Sequence, residues 1–77
     1  MPEVSAETRE RIESDAYSET LGIEVAELDS GYARTELTIT EDLTNFHGTP
    51  HGGAIYSLAD AAFAAASNSH GTTAVAL

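Results

Sequence analysis

The stretch "HGGAIYSLADAAFAAASN", His51 to Asn68, sets the hardest condition on the fold. Alanine dominates it, which favours helix, and apolar side chains point in almost every direction around the axis. A helix of that kind has to be enclosed; one face of a sheet is not enough. The sequence before it offers one hairpin. "GIEVAELDS" reads as a strand with Ile23 and Val25 opposite Glu24, and "YARTELTIT" follows the turn signal at Asp29–Gly31 with clean alternation. Ala33, Thr35, Leu37 and Ile39 share one face, and Tyr32, Arg34, Glu36 and Thr38 the other. A hairpin over about 22–40 and a third strand starting at 72–77 cannot wrap that helix. The expectation is an α+β domain present as its first half, or completed by another chain.

The remaining segments are simpler. Ser5 can cap an N-terminal helix over about 5–20 that Gly22 ends, with a thin apolar stripe of Ile12, Ala16 and Leu21. Residues 41–50 hold turn formers and no period, so they form a loop before the central helix at about 51–68. Thirteen acidic residues face three arginines and no lysine, a net charge of −10. That balance excludes nucleic acid and anionic membranes as partners, since both demand a basic surface. It also resembles the surfaces of salt-adapted proteins, which predicts loss of structure on dialysis to low salt. Without cysteine there is neither a disulfide framework nor a thiolate metal site. The first residues lack the apolar core of a secretory signal, and the run Ala61–Ala66 is far short of the ~20 residues that cross a bilayer. A cytoplasmic protein is expected.

Asp60 is the one carboxylate in the alanine-rich helix. Its plain reading is a solvated residue on a mildly polar face with Tyr56 and Ala64, beside Ser57. The glycines before it weigh toward function. Gly52 and Gly53 fall in the first turn, where N–H groups lack intrahelical partners, and each costs about 1 kcal/mol relative to alanine. A tight turn would explain them; so would close approach of a ligand carbonyl to an exposed N–H at the positive end of the helix. Gly52 and Asp60 lie roughly 12 Å apart along one helix. A nucleophile and an oxyanion donor must both sit about 3 Å from one carbonyl group. If both residues act, a second helix has to run antiparallel to the first, and the site belongs to a dimer.

These residues carry a resemblance. The pattern of Asn45, "HGG" at His51–Gly53 and "LAD" at Leu58–Asp60, with the upstream "LGIEVAELDSGYARTELTIT", resembles the PaaI-like family of hotdog-fold thioesterases, over about half of that family's domain. The resemblance implies a central helix wrapped by a curved antiparallel sheet, paired as a homodimer and then as a dimer of dimers. It implies an acyl-CoA or aryl-CoA substrate, such as a phenylacetyl or medium-chain thioester, and no cofactor. It gives Asp60 the role of nucleophile or general base and the Gly52 N–H that of oxyanion donor. Asn45 positions water or the carbonyl group, while His51 and Gly53 support the loop. Tyr17, Tyr32, Phe46, Tyr56 and Phe63 are core or edge aromatics, of which Phe46 and Tyr56 could line an acyl pocket. Ala61 stands where some relatives carry threonine, and a serine or threonine from the following strand would fall at or beyond Leu77. Three arginines are few for the phosphates of coenzyme A.

Rival readings fit less well. His47, His51 and His70 suggest a metal, but Pro50 interrupts the 47–51 spacing and a third nearby ligand is absent. A non-catalytic acyl-CoA-binding module leaves Asp60 without a reason to be acidic. A hotdog hydratase or dehydratase relies on a histidine–acid pair, which the order of these motifs fits poorly. Little activity is expected of the 77 residues alone.

Overall fold

The computed structural model describes residues 4–71. In chain order they form α1 (Ala6–Glu13), α2 (Ala16–Leu21), β1 (Glu24–Asp29), β2 (Tyr32–Glu36), a 3-10 turn at Glu41–Leu43 and α3 (Gly52–Ser67). The third strand expected at 72–77 lies outside the described residues.

The helix expected over 5–20 is two helices. Ser5 caps α1 by accepting from the Thr8 N–H at 3.1 Å. The break follows from side chains that compete for backbone partners. The Ser14 hydroxyl donates to the Arg11 carbonyl, and Asp15 Oδ2 accepts from both the N–H and the hydroxyl of Ser18. Asp15 therefore starts a new helix where a continuous one was expected. Gly22, at φ 86°, ends it: its N–H reaches the Glu19 carbonyl, and the Ile23 N–H reaches that of Ser18. This pair of bonds is a Schellman closure, and it turns Ile23 into the interior.

β1 and β2 form an antiparallel pair around a two-residue turn at Ser30–Gly31. The register slips between Val25 and Glu27. That bulge at Ala26 has a clear purpose. Val25 and Leu28 have opposite parity, and the extra residue puts both on the face toward α3. Glu27 pairs with Arg34 on the outer face, where the Arg34 side chain also bonds Glu36. The second strand stops at Glu36, which pairs with Glu24, the first residue of β1; Leu37–Ile39 lie past the end of the partner strand.

α3 crosses this hairpin. Among the described residues, Ile23, Leu28, Ala54 and Ala65 are the buried apolar ones. The two alanines let the helix approach the strands closely. The Thr35 hydroxyl donates to the Leu58 carbonyl at 2.9 Å, tying β2 to the middle of α3. At the far end Ser69, buried, accepts from the Gly31 N–H at 2.7 Å, and Ser30 bonds His70. The hairpin tip is thus clamped to the end of the helix. The opposite side of α3 is bare: Ile55, Tyr56 and Phe63 are 56%, 72% and 48% exposed. Among the described residues, no helix is long and apolar enough to cross a membrane.

Candidate active site

The site begins in the loop that delivers the chain to α3. Asn45 organises that loop through its side-chain oxygen, which accepts from the His47 N–H, the Thr49 N–H and the Thr49 hydroxyl at 2.9, 3.2 and 3.1 Å. Its backbone adds bonds to Thr49 and Gly48. Two backbone donors at one atom require that atom to be the oxygen. The amide is therefore fixed in orientation, and its Nδ2 has no hydrogen-bond partner among the described residues. Whatever Asn45 offers a ligand, it offers as a donor.

His51 is the N-cap of α3. Its Nδ1 accepts from the Gly53 N–H at 2.8 Å, and its own N–H donates to the Leu43 carbonyl. An imidazole nitrogen that accepts carries no proton, so any proton of the neutral ring sits on Nε2. Gly53 is required by this cap: a β carbon there would lie 3.0 Å from Nδ1 and 3.3 Å from Cε1 of His51. Gly52 has no such reason. A β carbon at Gly52 meets nothing within 4 Å, and its N–H has no partner among the described residues. The cap satisfies Gly53 and leaves Gly52 as an open donor at the positive end of the α3 dipole.

Asp60 lies on the same helix, two turns on, and its side is exposed. It does not adjoin Gly52 within one chain; the straight run of α3 from Gly52 to Ser67 keeps them roughly 12 Å apart. It borders two surfaces. One is the bare apolar face of Ile55, Tyr56 and Phe63. The other is a cavity of about 740 Å³ between α1–α2 and α3, into which Ser57, Asp60, Ala61 and Ala64 face. Phe46, 94% exposed, lies tilted against His47 with ring centroids 4.0 Å apart, and neither Phe46 nor Tyr56 lines that cavity. No three potential ligands among His, Cys, Asp and Glu gather among the described residues.

One contact had no signal in the sequence. Tyr17, read there as a core or edge aromatic, is 61% exposed, and its hydroxyl bonds Ser57 Oγ at 2.9 Å. Forty positions separate the two, and neither helical periodicity nor a local motif connects them.

A hairpin packed on an alanine-rich helix that opens with His-Gly-Gly matches solved structures over most of its length. The PaaI protein from the E. coli phenylacetic acid degradation operon superposes with a TM-score of 0.82 at 44% identity, over 88% of this chain and 49% of that one. The TT0310 protein from Thermus thermophilus gives 0.72 at 46% identity, over 75% of this chain and 50% of that one. The fold is the hotdog fold, α+β, represented by about half of its domain.

In sequence, 64 residues are 47% identical to the acyl-coenzyme A thioesterase PaaI of Escherichia coli K12, covering 83% of this chain and 46% of that protein. Residues 12–75 match the family described as a domain of unknown function, DUF4442. The chain belongs to that family, among the PaaI-like hotdog thioesterases. It spans about half the length of the relatives it matches.

Proposed function

We propose that the whole protein hydrolyses the thioester of an acyl- or aryl-coenzyme A, at a site shared by two copies of α3. The observation that carries this reading is the unpartnered Gly52 N–H at the start of a helix that bears Asp60 two turns later. An open backbone donor at a helix N-terminus suits the oxyanion that forms when a thioester carbonyl is attacked. The likeness to the E. coli acyl-coenzyme A thioesterase supports the same chemistry.

In this mechanism the substrate carbonyl oxygen lies against the Gly52 N–H of one copy and beside Asp60 of the other. Asp60 attacks the carbonyl carbon, or takes a proton from the water that does. The carbon–sulfur bond breaks and coenzyme A leaves as a thiolate. In the base route it takes the proton that Asp60 removed from water, and the acid is released directly. In the nucleophile route it takes a proton from solvent, while a second step, attack of water on the acyl-aspartyl anhydride, frees the acid and restores Asp60. Asn45 donates from Nδ2 to the carbonyl or to the attacking water, because its oxygen is already committed to the loop. His51 and Gly53 hold the first turn so that the Gly52 N–H stays free. The substrate class is a phenylacetyl-type or medium-chain thioester. In the 77-residue chain alone Asp60 faces solvent, so this reading expects little activity from it.

The pairing has a geometric corollary. If Gly52 of one antiparallel helix faces Asp60 of its partner, position 56 lies on the two-fold axis. That places the exposed Tyr56, with Ile55 and Phe63, in the interface between copies.

The direct test is thiol release by the full-length protein on phenylacetyl-, benzoyl- and octanoyl-CoA, beside Asp60→Asn. Loss of about 10²–10⁴-fold in kcat/KM with unchanged circular dichroism is expected. Undiminished turnover by the variant removes Asp60 from the chemistry, and binding without turnover by the parent leaves an acyl-binding module.

A further inference from the structure

The cavity beside Asp60 has a wall that the proposed chemistry does not use. Its floor is small and apolar, from Ala61 and Ala64 on α3 to Ile23 and Val25 where β1 begins. Its volume of about 740 Å³ falls within the range of about 300–1,000 Å³ typical of small-molecule sites. Tyr17 of α2 lines it, fixed through its hydroxyl to Ser57. Ser57 is one helical turn before Asp60, with β carbons roughly 5–6 Å apart. The ring is also held from its backbone, since Asp15 caps the start of α2 and Gly22 closes its end. A large aromatic residue is thereby fastened near the carboxylate while contributing nothing to the buried core.

This placement constrains a bound thioester. Given the thioesterase reading, the acyl carbon must lie about 3 Å from Asp60. From there the acyl group can extend along the bare face of α3 or into the cavity. The bare face is the one a second copy of the helix would cover. The cavity is open, apolar at its base and ringed mostly by negative charge: among the described residues Glu13, Asp15, Glu19 and Glu24 line it with Asp60, against one cation, Arg11. A second carboxylate carried on the acyl group would enter this field at a cost.

We propose that the cavity between α2 and α3 receives the acyl group, that it selects neutral, apolar acyl groups over those ending in a carboxylate, and that Tyr17 limits their size. Tyr17 is thus a specificity-determining residue, and Ser57 holds it in place.

The experiment measures thiol release by the full-length protein on hexanoyl-, dodecanoyl- and adipyl-CoA, for the parent and for Tyr17→Ala. The parent should favour hexanoyl over adipyl by about tenfold or more in kcat/KM, as expected for an unpaired charge against a like-charged wall. Tyr17→Ala should raise the dodecanoyl-to-hexanoyl ratio by about fivefold or more, the scale at which pockets discriminate by size. A ratio unchanged within about twofold, or a parent that prefers adipyl, overturns the inference. If Tyr17→Ala loses helical circular dichroism, Tyr17→Leu replaces it with the same two outcomes. A parent that hydrolyses none of the three overturns the thioesterase reading and this inference with it, a result distinct from an unchanged ratio.

Discussion

Replacing Gly53 by alanine opposes two effects of similar size, and a second substitution separates them. Alanine at a helical position gains up to about 1 kcal/mol over glycine. At Gly53, however, the new β carbon would stand 3.0 Å from the His51 nitrogen that caps the helix. The imidazole has to swing away, and the 2.8 Å bond from the Gly53 N–H is lost. An N-cap bond contributes about 1 kcal/mol, within a range of about 0.5–2. The two effects nearly cancel, so Gly53→Ala alone should shift stability by less than about 0.5 kcal/mol. In a His51→Ala background the obstacle and the cap are both already gone. There the same substitution should stabilise by about 1 kcal/mol, leaving a coupling of about 1 kcal/mol between the two positions. Urea midpoints of the four full-length proteins, analysed with a common slope, measure this directly. Equal stabilisation by Gly53→Ala in both backgrounds would show that the glycine does not protect the histidine cap.

Two further substitutions test the shared site. Asn45→Asp keeps an oxygen for the three donors from His47 and Thr49 but replaces the free amide nitrogen with an acceptor; melting should move little while kcat/KM falls about 10²-fold, and unimpaired turnover would show that Nδ2 does not touch the substrate. Tyr56→Cys in the full-length protein should form an intermolecular disulfide under mild oxidation, because facing helices bring Cα atoms at a two-fold axis within about 4–6 Å. Thr38→Cys, near the end of the hairpin, is the control, and cross-linking that is no faster at position 56 than at 38 would refute the antiparallel pairing.

Local features were the legible ones. Alternation put Ala33, Thr35, Leu37 and Ile39 on one face; the first three are half-buried beside exposed Tyr32, Arg34, Glu36 and Thr38, while Ile39, beyond the end of β2, is exposed. Alanine content and the glycine pair marked the start of α3. The break between α1 and α2 was also written in the chain, as the capping pair Ser14–Asp15, but helical residues on both sides masked it. The bulge at Ala26 showed as a change of phase between Val25 and Leu28, which a strand read without irregularity absorbs. The Tyr17–Ser57 bond left no trace, since it depends on how α2 is aimed after the Gly22 closure. The open Gly52 N–H was foreseeable from first-turn chemistry, whereas the commitment of the Asn45 oxygen to its own loop required the folded turn.

α1 and α2 contain no buried residue. Away from the Ser5 and Asp15 caps, substitutions at such positions typically change stability by less than about 0.5 kcal/mol. The N-terminal layer can therefore vary while the packing of hairpin on helix stays intact, so a lineage could change what it accepts without relearning how to fold. Directed evolution that randomises 11–13 and 16–19, keeping the Ser14–Asp15 caps, should return many well-folded clones of altered preference, while libraries built on 54–65 should return mostly unfolded chains.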